Sequence, residues 1–176
     1  SISTVAYYSA PYEAVIRLTI IPISFTMVLF PAFSSMKEID DDQKLAILFA
    51  RATKYIFLII FPISIISGLF AKNILQIWLG TEFALESTSS LQILLIGIVV
   101  HCLGYIPSAF LQGLGRPDLP AKFHLIELPI RIIASWILIS HWGVYGAAWA
   151  WTLWTLMDVI LVFGATFKIK GFSHRI

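Results

Sequence analysis

His124, Glu127 and Arg131 stand at i, i+3 and i+7 in an otherwise apolar stretch, so a helix there lines all three along one face, with Ser135 extending the stripe. A second acid, Asp158, lies in the next apolar stretch on the helical face of Trp151, Trp154 and Thr155, and Glu13 and Arg17 form an i, i+4 pair near the start. Two carboxylates beside an imidazole can take up and release a proton, because both acids cannot ionise cheaply in a low dielectric. Arginine offers forked donors to a phosphate, and indoles can stack on sugars or simply pack. His101 stands alone, which fits a hydrogen-bonded packing residue better than a ligand. No HExxH, Cys pair or DxD is present, and Gly113-Leu-Gly115 reads as a helix stop rather than a phosphate loop. No catalytic centre, metal ligand set or cofactor is therefore expected.

The elements that hold these groups must lie in lipid. Hydrophobic residues make up 59% of the 176 residues, charged residues 12%, and the mean hydropathy is +0.87; soluble domains carry roughly 25% charge. The net charge of +2, with no basic stripe, gives no footprint for nucleic acid. Cys102, the one cysteine, sits in an apolar run and reads as a small buried residue. Ser1 is followed by no basic and apolar leader pattern, and the chain reads as the C-terminal part of a longer protein.

Spanning the bilayer takes about 20 apolar residues. Five stretches qualify, at 12–35, 54–71, 88–112, 119–140 and 144–167, which makes the chain an all-α polytopic membrane protein. Gly115 suits a left-handed helix end, Pro117 prevents continuation, and Asp118 can cap the next helix. The turn at His141-Trp142-Gly143 is so short that the last two spans must be antiparallel neighbours. Counting from it, Glu127 and Asp158 each lie roughly 22 Å along their helices at about 1.5 Å per residue, so the two acids share a level, with Arg131 one turn away. Ionisable groups at such depth cost at least about 2.5 kcal/mol each, and they face a protein interior or water. Two explanations compete: local pairs that neutralise charge for folding, and a wet functional crevice.

Lys37, Lys44, Arg51, Lys54, Arg116, Lys122, Lys168, Lys170 and Arg175 all fall on one side of five alternating spans, against Lys72 on the other. That side, with the C-terminus, is expected in the cytoplasm. Trp78, Trp142 and Trp149 suit the opposite interface. Gly143 with Ala147, and Gly146 with Ala150, allow close helix approach. Pro22, Pro31, Pro62, Pro107 and Pro129 invite bends in most spans.

Four stretches carry a likeness to a known family: Tyr7-Tyr-Ser-Ala-Pro-Tyr12 running on to Leu29-Phe-Pro31-Ala-Phe-Ser34; Ile74-Leu-Gln-Ile-Trp78-Leu-Gly80 with Phe83; Leu111-Gln-Gly113-Leu-Gly115-Arg-Pro117 with Ala121-Lys-Phe-His124-Leu-Ile-Glu127-Leu-Pro129; and Gly143-Val-Tyr-Gly146-Ala-Ala-Trp-Ala150-Trp-Thr152. The chain resembles the C-terminal half of the prokaryotic polysaccharide flippases, the O-antigen-type members of the multidrug/oligosaccharidyl-lipid/polysaccharide exporter superfamily. The resemblance implies two lobes of about six helices around a central cavity. This chain then supplies the last five spans, most of one lobe, and its partner is the N-terminal lobe of the same protein. It further implies movement of an undecaprenyl-diphosphate-linked oligosaccharide across a bacterial or archaeal cytoplasmic (inner) membrane, driven by an ion gradient. Arg17, Arg131, Trp151 and Trp154 then become candidate substrate contacts, and His124, Glu127 and Asp158 candidate coupling residues. A multidrug or peptidoglycan-precursor transporter of the same superfamily stays open, as do an intramembrane acyltransferase with His101 or His124 as base and a non-transporting assembly subunit.

Overall fold

A computed structural model describes residues 2–38 and 42–170. The acidic centre of the first linker, at 39–41, and the tail arginine Arg175 lie outside the described residues. The elements are α1 (Ile2–Ile16), a 3-10 turn (Arg17–Thr19), α2 (Ile20–Glu38), α3 (Asp42–Leu69), α4 (Ala71–Leu79), α5 (Thr81–Gly113) and α6 (Asp118–Lys170). The last is two arms, α6a (118–142) and α6b (144–170), meeting at Gly143, whose φ of 54° and ψ of −125° belong to no helix.

The elements outrun the predicted spans. The amphipathic stretch before position 54 is continuous with the third helix. At 28 residues α3 is roughly 42 Å long against about 30 Å of hydrocarbon, so its charged first turns can stand clear of the lipid. The nine-residue α4 was not foreseen; it is too short to span. Among the described residues four segments are long and apolar enough to cross a membrane, and the fourth, Asp118–Ile169, takes in both arms of α6.

Proline disrupts the backbone in one place only among the five foreseen. The 3-10 turn at Arg17–Thr19 ends three residues before Pro22, which cannot donate to the Leu18 carbonyl and crowds it. Thr19 Oγ1 donates to the Ile16 carbonyl at 2.7 Å there. Helical geometry continues through Pro31, Pro62, Pro107 and Pro129.

The α5–α6 turn follows the sequence reading at its start. Gly115 has φ 71°; its N–H donates to the Gln112 carbonyl and that of Arg116 to the Leu111 carbonyl, both at 2.9 Å, the paired bonds of a left-handed helix stop. Asp118 departs from its expected role. It is the first helical residue, and its carboxylate accepts from Arg116 Nε at 3.1 Å and Lys122 Nζ at 3.0 Å.

α5 is the hub, packing on every other helix. Its inner face buries Leu94, Ile98, Cys102, Ile106 and Phe110, and Phe110 meets Phe33 of α2 and Phe49 of α3 edge-on at 5.3 and 5.2 Å. Glycines set how closely α6b approaches. A Cβ at Gly97 would stand 2.6 Å from the Trp151 ring, and one at Gly104 2.8 Å from Val159. One at Gly146 would run into the Leu138 carbonyl of the facing arm, whereas one at Gly143 would meet nothing, so of the glycines noted above it is Gly146 that lets the α6 hairpin close.

Candidate functional site

The hairpin brings the ionisable stripe of α6a against α6b. Glu127 is the one charged side chain of α6a that is buried, at 1% exposure. Trp154 Nε1 donates to its Oε2 at 3.0 Å. His124 Nδ1 lies 3.6 Å from Glu127 Oε2 and 3.5 Å from Asp158 Oδ1, and the His124 ring is 56% exposed. One imidazole, open on its outer side, thus faces two buried carboxyl groups. Arg131 stacks on the other side of the cluster, its Cζ 4.1 Å from the Trp154 ring centre.

Buried oxygens here are short of donors. Glu127 Oε1, Asp158 Oδ1 and the Thr155 hydroxyl make no hydrogen bond. Buried polar atoms are nearly always partnered, so acceptors left over in this way are suited to a proton or a small cation. One atom from each of His124, Glu127 and Asp158 lies within 4.8 Å of the others. No linear metal motif marks this trio, because its three donors come from two helices.

Next to the cluster opens a cavity of about 590 Å³ between α2, α5 and the hairpin. His124, Trp154 and Asp158 form one wall, and Thr26, Met27 and Phe30 of α2 another. The third is a stripe of α5: His101, Tyr105, Ser108 and Gln112, at i, i+4, i+7 and i+11. His101, read alone as packing, is both: its ring meets Trp151 at 5.5 Å and Tyr105 at 5.4 Å, and it lines the cavity. The helical period of those four polar residues was the available signal, and reading His101 in isolation missed it.

Other candidates lie elsewhere. Trp151, 7% exposed, is packed against Tyr12 and His101, so its ring faces protein. Arg17 is exposed at the 3-10 turn and lines no part of this cavity. Glu13 is exposed too, and no ion pair joins the two. Arg131 faces a second, more apolar depression on α6a, with Leu128, Ser135 and Trp136.

A sequence profile described as lipid II flippase MurJ matches residues 1–174. The chain belongs to this flippase family. Among curated proteins, the "Putative O-antigen transporter" of Shigella flexneri is 31% identical over 158 residues, 90% of this chain and 37% of its own length. The "Probable low-salt glycan biosynthesis flippase Agl15" of Haloferax volcanii is 26% identical over 155 residues, 85% of this chain and 32% of its own. The "Uncharacterized membrane protein MJ1068" of Methanocaldococcus jannaschii is 26% identical over 164 residues, covering 88% and 32%. The chain thus spans about a third of the length of these relatives. No solved structure matches. A flippase-family match from end to end, with relatives named for transport and flipping, leaves no support for the acyltransferase reading.

Proposed function

We propose that this chain is the C-terminal lobe of a flippase that carries a lipid-linked oligosaccharide, built on undecaprenyl diphosphate, from the cytoplasmic to the outer leaflet. The O-antigen and glycan names of two relatives support an oligosaccharide cargo; the family profile favours a peptidoglycan precursor as the second reading. The lobe's partner is the remainder of a two-lobed body, with the cavity facing it. The basic ends of the spans and the C-terminus lie in the cytoplasm.

The observation that carries the mechanism is the pair of buried carboxyl groups with unpartnered oxygens, both facing His124 at the cavity wall. Proton entry through the exposed imidazole changes the charge of the hairpin core, and alternating access follows that charge. Trp154, at the cavity wall, offers its indole as a surface for sugar, and Arg131, stacked on that indole and facing the neighbouring depression, offers its guanidinium N–H groups to the phosphate.

The test is translocation in proteoliposomes containing the intact protein that bears this chain, with Glu127→Gln and Asp158→Asn. Both variants are expected to insert and to lose the dependence of transport on the imposed pH gradient. Unchanged pH dependence in both would end the coupling role.

A further inference from the structure

On the side of the bundle away from the ionisable cluster, α3 and α5 part to leave a crevice of about 470 Å³. Its floor and walls are Phe57, Phe61 and Gly68 of α3 with Leu95, Ile96 and Val99 of α5. Phe57 and Phe61 stack at 4.7 Å, forming one smooth edge. Gly68 has no side chain to fill the floor, and a Cβ there would meet only Leu95, at 3.8 Å. Two polar side chains line it: Gln92 Nε2 donates to the Gly68 carbonyl at 3.1 Å, and Ser64 adds one small buried hydroxyl that makes no hydrogen bond; the remaining lining is apolar.

We propose that this crevice is a binding site for one phospholipid acyl chain, held in order against the protein. Both helices that form it are long and apolar enough to cross a membrane, and rim residues Phe57, Phe61 and Ile96 are exposed, so the crevice opens sideways at the depth of lipid tails. Its length agrees: the twelve steps from Phe57 to Leu69 rise roughly 18 Å, and one leaflet's share of about 30 Å of hydrocarbon is roughly 15 Å. A protein helix, about 10 Å across with its side chains, rides on the phenylalanine rim and leaves the floor empty; a hydrocarbon chain is slim enough to reach Gly68. Filling the crevice restores the dispersion contacts that its walls otherwise lack. The site is separate from the hairpin cluster and does not depend on the transport reading.

The test uses the intact protein in nanodiscs made with a phosphatidylethanolamine that carries a photoactivatable diazirine along one acyl chain. Adducts are mapped by mass spectrometry, with Ile130, Ile132 and Ile133 of α6a, apolar and more exposed than either phenylalanine, as the internal reference. Adducts on Phe57, Phe61 and Ile96 are expected to exceed the reference, and the excess is expected to vanish in Gly68→Leu, which fills the floor. Ile96→Trp, filling from the other wall, is the second variant should Gly68→Leu not insert. Adducts no denser in the crevice than on α6a, an excess that survives filling, or labelling excluded because another part of the protein covers the crevice would each overturn the proposal.

Discussion

Glu127 and Trp154, 27 residues apart in sequence, are joined across the α6 hairpin by a 3.0 Å hydrogen bond from the indole Nε1 to the carboxylate Oε2. The bond ties the acid to the arm opposite its own and supplies the shortest donor contact to its carboxylate, the His124 Nδ1 lying at 3.6 Å. Trp154→Phe is expected to cost about 1–3 kcal/mol, the penalty for stranding a buried acceptor, while Glu127→Gln, which keeps an oxygen there, stays close to wild type. Thermal unfolding in detergent separates the two; equal melting of Trp154→Phe and wild type would show that the bond adds nothing.

Arg131 lies on the face of Trp154 rather than against either acid. Arg131→Gln is expected to reduce translocation of the diphosphate-linked oligosaccharide more than that of an uncharged lipid analogue. Arg131→Lys should retain part of the activity, since the charge stays but the fork is lost. Equal loss for both cargoes would assign Arg131 to packing, where stacking of this kind contributes about 0.5–1 kcal/mol.

Close approach at Gly146 and Gly97 predicts a graded series. Gly97→Ala drives a methyl against the Trp151 ring, for about 1–3 kcal/mol of overpacking. Gly146→Ala meets the Leu138 carbonyl, which belongs to a helix backbone and cannot turn away as a side chain can. Its loss of folded yield and melting temperature should be the larger.

Lys37 Nζ donates to the Leu114 carbonyl at 2.7 Å, holding the end of α2 to the end of α5. Lys37→Met is expected to cost about 1.5–3 kcal/mol, the usual range for a hydrogen bond with a charged partner. Hydrogen exchange should quicken at the Gly115 and Arg116 amides, whose bonds close that turn. Unchanged exchange there would show that the turn holds by itself.

Gly143 adopts φ 54° with ψ −125°, a combination open to glycine and strained for other residues. Gly143→Ala is expected to lose about 1–3 kcal/mol, seen as a lower melting temperature than Gly164→Ala, where a Cβ meets open space.

The spans and the α6 stripe were legible because each rests on a short-range period: long apolar runs for the first, i, i+3, i+7 spacing for the second. The meeting of Glu127 with Asp158 followed from the shortness of the turn at Gly143, which fixes how far along each arm a residue lies. What escaped was tertiary. Gly97 and Gly104 are seven residues apart, outside the small-xxx-small pattern, and their role depends on Trp151 and Val159 arriving from α6b. The α4 helix escaped because its nine residues, too few to span, fall almost wholly in the connection between the predicted spans 54–71 and 88–112, where only long apolar runs were sought. Arg17 looked like part of a span; Pro22, one turn on, leaves it at a 3-10 turn beside no acid.

His124, Glu127, Trp154 and Asp158 belong to a single length of chain folded once, at Gly143. The cluster therefore travels with its own frame. Under the coupling role proposed above, a tilt of the lobe would leave the distances among the imidazole and both carboxyl groups unchanged and alter only which water reaches them. A proton held there would then be carried with the hairpin, with no bond inside the cluster broken on the way.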